Sequence, residues 1–408
     1  MEGVRMEATG PLKGFKVVEL AMWAAGPMVG GILADWGADV IKIEPADGDP
    51  FRALNLRPGK ETVTETSIEF LVNNRAKRSI VLDVRTEEGR RIALELIHRA
   101  DIFLTNLRSN ALERMRLDYD TIHNIEPRLI YCHVTGYGIE GEWRDRAAYD
   151  VGAFYARAGV AATLLPPGDE PMMRCGAFGD YYTAMSAAGG VCAALVARQQ
   201  SGQGQRVVAS LLRTGAYAIS AHLDRVLHGT PPRAVKSRAE ILNPMNNCYR
   251  DSRGKWFWLL GLQGDRMWPG VTRAIGRPEL ENNPRFDNME ARSNNVAELT
   301  RILDQAFAMR SLDEWQPIFE REDIWWTPVH DDEDLLKDPQ LHAAGGLINL
   351  PTAQGNEIKI VPAPIDFDAT PWSIRAPAPE LGQHTEEILL ELGRDWDEIA
   401  RLKEKHII

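Results

Sequence analysis

The sequence predicts an α/β protein, with a large domain built on a parallel sheet covered by helices and a smaller α+β domain beside it. Three observations carry this reading. Short apolar runs alternate with helix-like stretches through the first half of the chain, the pattern that sets parallel strands between covering helices. At 408 residues the chain can build two domains, each with its own core. From about Gly229 to Asn247 the composition turns rich in Pro, Arg and Asn, which marks a connector.

Taken in order, residues 16–20, 39–44, 79–83, 102–106 and 129–135 read as short buried strands, and 26–36, 87–98 and 119–125 as helices. The turn Gly26-Pro27-Met28-Val29-Gly30-Gly31 does not match G-x-G-x-x-G and gives no support to a dinucleotide. Its glycines instead permit close packing of helix on sheet. Residues 181–190, a run of small side chains, read as a tightly packed helix. A turn at 200–205 then leads into a strand at 206–211 and a further helix. Beyond the connector come a strand at 256–260 and helices near 265–275, 297–308 and 311–321. A strand-like segment at 358–362 precedes two closing helices. The expected division is 1–228, 229–330 and 331–408.

A composition of 44% hydrophobic and 26% charged residues is ordinary for a globular protein. The net charge of −11 argues against a nucleic-acid surface but not against a phosphate-bearing ligand, because local Lys and Arg decide that. Cys132, Cys175, Cys192 and Cys248 form no C-x-x-C pair. They frame neither disulfides nor a metal site, so a reducing cytoplasm is expected. No apolar run approaches the ~20 residues of a membrane span. The first nine residues lack the apolar stretch of a secretory signal.

The segment Cys175-Gly176-Ala177-Phe178-Gly179-Asp180 runs into the small-residue helix. Asp is a preferred N-cap, and a helix start favours negative charge. Two readings follow for Asp180: a helix cap, or a nucleophilic carboxylate set where the permissive Gly179 lets backbone crowd around a ligand.

The stretch from Leu12 through Ala25-Gly26-Pro27 to Ile43-Glu44-Pro45, the internal Asn74-Arg75-Ala76-Lys77-Arg78-Ser79, and the closing Leu381-Gly382-Gln383-His384-Thr385 resemble family III of the CoA-transferases. The likeness spans the chain from about Leu12 to its end. It implies a Rossmann-like large domain to which the C-terminal segment returns, an interlocked homodimer, and Asp180 as the catalytic aspartate. It further implies an acyl-CoA and a carboxylic acid as small-molecule substrates, with no tightly bound cofactor, metal, membrane or nucleic acid.

A carboxylate attacking an acyl-CoA expels a thiolate and forms a mixed anhydride, which the thiolate resolves into an enzyme-CoA thioester. Backbone amides at Gly179 and the following helix are expected to stabilise the oxyanions. For the phosphates of CoA, the likeness points to Asn106 and Arg114, with Lys77, Arg78 and Arg108 as further cations. The pattern departs from formyl-CoA transferase at Ala24, Pro45 and Ala147, where that enzyme has glutamine, arginine and lysine. Tyr149-Asp150 occupies the place of Gly-His-Asp motif residues in the related 2-methylacyl-CoA racemases. Tyrosine is a poor base at neutral pH, with an ordinary pKa of about 10, so α-proton exchange is the alternative activity rather than the first. Tyr149 and Asp150 read either as catalytic or as a turn with a core hydrogen bond. His133 reads as a satisfied core residue. Trp256, Trp258, Trp268, Met245 and Met267 read either as an apolar acid pocket or as a domain core.

Overall fold

The computed structural model describes residues 9–54, 67–232, 234–235, 237–352 and 355–408. The chain divides into two units, Met1–Leu164, Pro171–Gly229 and Gly346–Ile408 in one, and Leu165–Glu170 with Thr230–Gly345 in the other. The second unit therefore runs past the expected limit at 330. Residues 326–328 add a strand to its sheet, and two short helices follow before residue 345.

The first unit holds six strands: β1 (Lys16–Leu20), β2 (Asp39–Glu44), β3 (Arg78–Val81), β4 (Ile102–Thr105), β5 (Ile130–Thr135) and β6 (Arg206–Ser210). They lie in the order β3-β2-β1-β4-β5-β6, with every pairing parallel. Alternate side chains of one strand face opposite sides of the sheet, so neighbours in sequence feed different cores. Val17, Ile102 and Ile130 pack with α1 (Ala25–Asp35). Val18, Phe103 and Tyr131 pack with α2 (Glu87–His98). The amphipathic α2 opens with a Thr86 side-chain cap to the Gly89 amide and acidic Glu87 and Glu88 in its first turn. The small-residue run becomes α3 (Phe178–Ser201), whose Ala184, Ala187, Ala188 and Val191 share the core of α1. The closing helices α4 (Thr385–Glu391) and α5 (Trp396–Glu404) bring Ile388, Leu389, Ile399 and Leu402 to the α2 face.

Beneath α1 lies a buried network of charges. Lys42 Nζ sits 3.1 Å from Glu19 and 2.9 Å from Asp49, and Lys77 Nζ sits 2.8 Å from Glu19. Glu44 pairs with Arg52 at 2.7 Å. Gly30 makes room for the network, because a Cβ there would lie 1.9 Å from a Glu19 oxygen.

In the second unit, strands at Cys248–Arg250, Trp256–Leu259 and Trp326–Pro328 form an antiparallel sheet. Its core contains Met245, Met267 and Trp268 together with Phe257, Phe307 and Phe319. Those three members of the proposed apolar pocket are core residues, while Trp256 and Trp258 are half-buried on the middle strand.

Candidate active site

The order 3-2-1-4-5-6 reverses direction between β1 and β4, and open α/β sheets take their ligands in the crevice at the carboxyl ends of strands at such a point. A cleft of about 260 Å³ lies there. Residues 22–25 after β1, 106–109 after β4, 134–136 at the end of β5 and Leu211 after β6 line it, together with Arg144, residues 146–149 and Asp180.

Asp180 belongs to the first turn of α3, and the N-cap is Ala177, whose backbone is left-handed at φ 60°. The capping reading of Asp180 therefore gives way. The cap comes from Asp150 instead, whose two carboxylate oxygens each accept from the Gly179 amide at 3.1 Å. Asp150 is buried. A Cβ on Gly179 would lie 2.1 Å from the Phe154 ring and 2.4 Å from an Asp150 oxygen, so that only glycine fits. The Gly179 amide, engaged by Asp150, is not available as the expected oxyanion donor.

Burial, and then the Asp150 charge, push the Asp180 carboxyl up to about 7. Asp150 is raised as well, by its own burial, against the backbone donors at Gly179 and Asp180. A half-buried carboxylate that is poorly hydrated yet ionisable near neutrality suits nucleophilic attack better than a solvated one.

Tyr149 stands at the cleft, 62% exposed. Its ring meets Trp23 edge to face, with centroids 5.9 Å apart and planes at 88°. Trp23 is one of few non-glycine residues with a left-handed backbone, at φ 67°. Its amide donates to Asp49 Oδ1 at 3.0 Å. Asn106 clamps the preceding residue, accepting from the Met22 amide at 3.0 Å and donating to its carbonyl at 2.7 Å. The amide of Asn106 thus shapes the cleft by holding a loop.

The expected cations separate into two groups. Arg108 lines the cleft. Arg114 is exposed in the last turn of the helix Ser109–Met115 and does not line it. Lys77 and Arg78 do not line it either. Lys77 is buried against Glu19, the Pro27 carbonyl and Asn74, and burial lowers it to about 8. Arg78 pairs with Asp39 at 2.7 Å and Glu391 at 2.8 Å. Both sit at the head of β3, where carboxylates already engage them, the buried Glu19 for Lys77 and the more exposed Asp39 and Glu391 for Arg78, so the expectation of a phosphate grip there is corrected. Arg144 and Arg146, which the sequence reading passed over, do line the cleft. Arg146 lies 3.9 Å from the Trp143 ring centroid. The only signal for them was the cluster of charge just ahead of Tyr149.

His133 is buried and donates from Nε2 to the Leu107 carbonyl at 2.8 Å, a satisfied core residue. Cys175 is exposed on the loop before α3. Among the described residues, no group of three or more His, Cys, Asp or Glu could hold a metal ion, and no helix is long and apolar enough to cross a membrane.

The family model for CoA-transferase family III matches residues 12–385. Over 97% of this chain and 99% of the relative, the sequence is 33% identical to (R)-2-hydroxy-4-methylpentanoate CoA-transferase of Clostridioides difficile. It is 32% identical to cinnamoyl-CoA:phenyllactate CoA-transferase of Clostridium sporogenes, over 98% of each chain. The fold matches the crystal structure of a CAIB/BAIF family protein from Brucella suis with a TM-score of 0.82 and 31% identity, covering 94% of this chain and all of the other.

Proposed function

The chain belongs to CoA-transferase family III and transfers CoA between acyl-CoA thioesters and carboxylic acids, and we propose that the transfer runs through a covalent intermediate on Asp180. One observation carries this reading: a half-buried carboxylate with its pKa raised to about 7 lies in the cleft at the topological switch point.

An Asp180 oxygen attacks the thioester carbon of the donor, the C–S bond breaks, and CoA thiolate leaves a mixed anhydride. The thiolate then attacks the aspartyl carbonyl carbon, releasing the donor acid and leaving an aspartyl-CoA thioester. The acceptor carboxylate attacks that thioester and expels CoA again. Attack of CoA on the acceptor acyl carbon yields the new acyl-CoA and frees Asp180. The thioester is preserved throughout, provided water is kept from the anhydrides. Gly179 and Asp150 hold the turn that carries the nucleophile, and the Tyr149 hydroxyl supplies a hydrogen bond to the developing oxyanion. Arg108, Arg144 and Arg146 supply the positive rim for the phosphates of CoA, and Asn106 fixes the loop beneath it.

Tyr217, Leu227, Phe178 and Tyr182, on α3 and the two helices after β6, leave 75%, 78%, 43% and 48% of their surface exposed. Apolar exposure of this kind supports a homodimer with this face covered, which light scattering at twice the chain mass would register. Four free cysteines support a cytoplasmic setting.

The test is intact-protein mass spectrometry after incubation with succinyl-CoA and acetyl-CoA. A CoA-sized adduct that maps to Asp180 and is lost in Asp180→Ala supports the mechanism. Bound donor with no adduct in either protein, together with deuterium exchange at the acyl α-carbon, would replace it with the racemase alternative.

A further inference from the structure

From the geometry around Trp23, we infer that this residue determines specificity, forming with Tyr149 an aromatic wall that selects acyl groups with an aryl or branched apolar side group. The inference rests on transfer through Asp180 as proposed above, since it names the substrate class of that same cleft.

The fold holds Trp23 from several directions in an unfavourable backbone conformation. A bulky residue at φ 67° adopts a strained conformation that persists only where the surroundings enforce it. They do so from two sides. Asn106 takes both the amide and the carbonyl of Met22. Asp49 accepts from the amides of Trp23 and of Phe51, each at 3.0 Å, while its other oxygen rests 2.9 Å from Lys42. The constraint thus extends into the buried charges beneath α1. Its outcome is an indole between two rings, Phe51 at 6.1 Å and Tyr149 at 5.9 Å, lining the same cleft as Asp180.

The wall itself carries no cation. A short dicarboxylate would need a cation for its distal carboxylate. Lys42, Lys77 and Arg52, the cations of the buried network next to the Trp23 loop, are each paired with a buried carboxylate. Asn106 has both ends of its amide on Met22. The cleft's own arginines, Arg108, Arg144 and Arg146, are assigned above to the phosphates of CoA, and what the wall at Trp23 itself presents to an acyl group is aromatic and aliphatic surface, from Trp23, Tyr149, Ala148 and Leu211. Such surface rewards an apolar side group and gives nothing to a charged one.

Single-turnover loading of Asp180 tests this, read as CoA adduct by intact mass with four donors: 3-phenylpropionyl-CoA, 4-methylpentanoyl-CoA, succinyl-CoA and acetyl-CoA. Wild type is expected to load faster from the first two. Trp23→Ala should lower the ratio of 3-phenylpropionyl-CoA to acetyl-CoA loading about 10- to 100-fold, the range set by losing apolar contact in a binding pocket. Trp23→Phe should restore most of the ratio, which a purely structural role would not require. Equal slowing of all four donors in Trp23→Ala, or a wild-type preference for succinyl-CoA, would overturn the inference while leaving the transfer through Asp180 standing. No adduct from any donor on wild type would instead remove that underlying mechanism, and this inference with it.

Discussion

Asp150 and Gly179 are joined by two hydrogen bonds of equal length, one from the glycine amide to each carboxylate oxygen at 3.1 Å. Twenty-nine positions apart in sequence, they form the joint that presents Asp180. Gly179→Ala would drive a methyl group into the Phe154 ring and the Asp150 carboxylate. Overpacking of this kind costs typically ~1–3 kcal/mol. The expected result is a lower melting temperature by thermal denaturation and a loss of turnover of at least about 100-fold, because a displacement near 1 Å has that effect on positioned reactants.

The rate should follow the ionisation of Asp180. With its carboxyl near 7, kcat/KM should fall about tenfold per pH unit below that point and level off above it. Asp150→Asn keeps an acceptor for Gly179 and removes the neighbouring charge. Its profile should therefore move toward lower pH, and a profile that stays in place would separate the two carboxyls.

Stability should respond in the opposite sense to activity. A carboxyl raised in the fold above its ordinary 3.8 binds more protons folded than unfolded between those values, so stability falls as pH rises through that window. Asp180→Asn removes the penalty. Denaturant titration at pH 8 should find the variant more stable than wild type by roughly 2 kcal/mol, a figure discounted for partial exposure, and the advantage should vanish near pH 4.

Glu19 faces both Lys42 and Lys77 in the buried network. Replacing Glu19 with Gln leaves two buried ammonium groups without their shared partner. Loss of one member of a buried pair costs about 3–5 kcal/mol, and chemical denaturation should show it.

The six sheet strands were legible because each is a short apolar run whose neighbours feed opposite faces, as with Val17 and Val18. The strand order was not legible, since periodicity carries no information on which parallel strands lie side by side. The family likeness singled out Asp180, which does line the cleft, yet its partner Asp150 capping from a distant segment was not legible, because a local pattern shows only the local cap. Lys77 and Arg78 misled for a related reason. A charged side chain next to a strand reads as solvent-exposed, and only the fold reveals Glu19 and Asp39 waiting for them. Arg144, Arg146 and Trp23 lie in irregular stretches with no periodic signal, so their convergence on one cleft emerges only in three dimensions.

The charges beneath α1 comprise three carboxylates, Glu19, Glu44 and Asp49, and three cations, Lys42, Lys77 and Arg52. Their sum is zero, so the network exerts little net field on its surroundings. That balance is conditional, since Lys77 gives up its proton near pH 8. As pH rises through that value the network beneath α1 passes from neutral to one net negative charge, held where no solvent screens it.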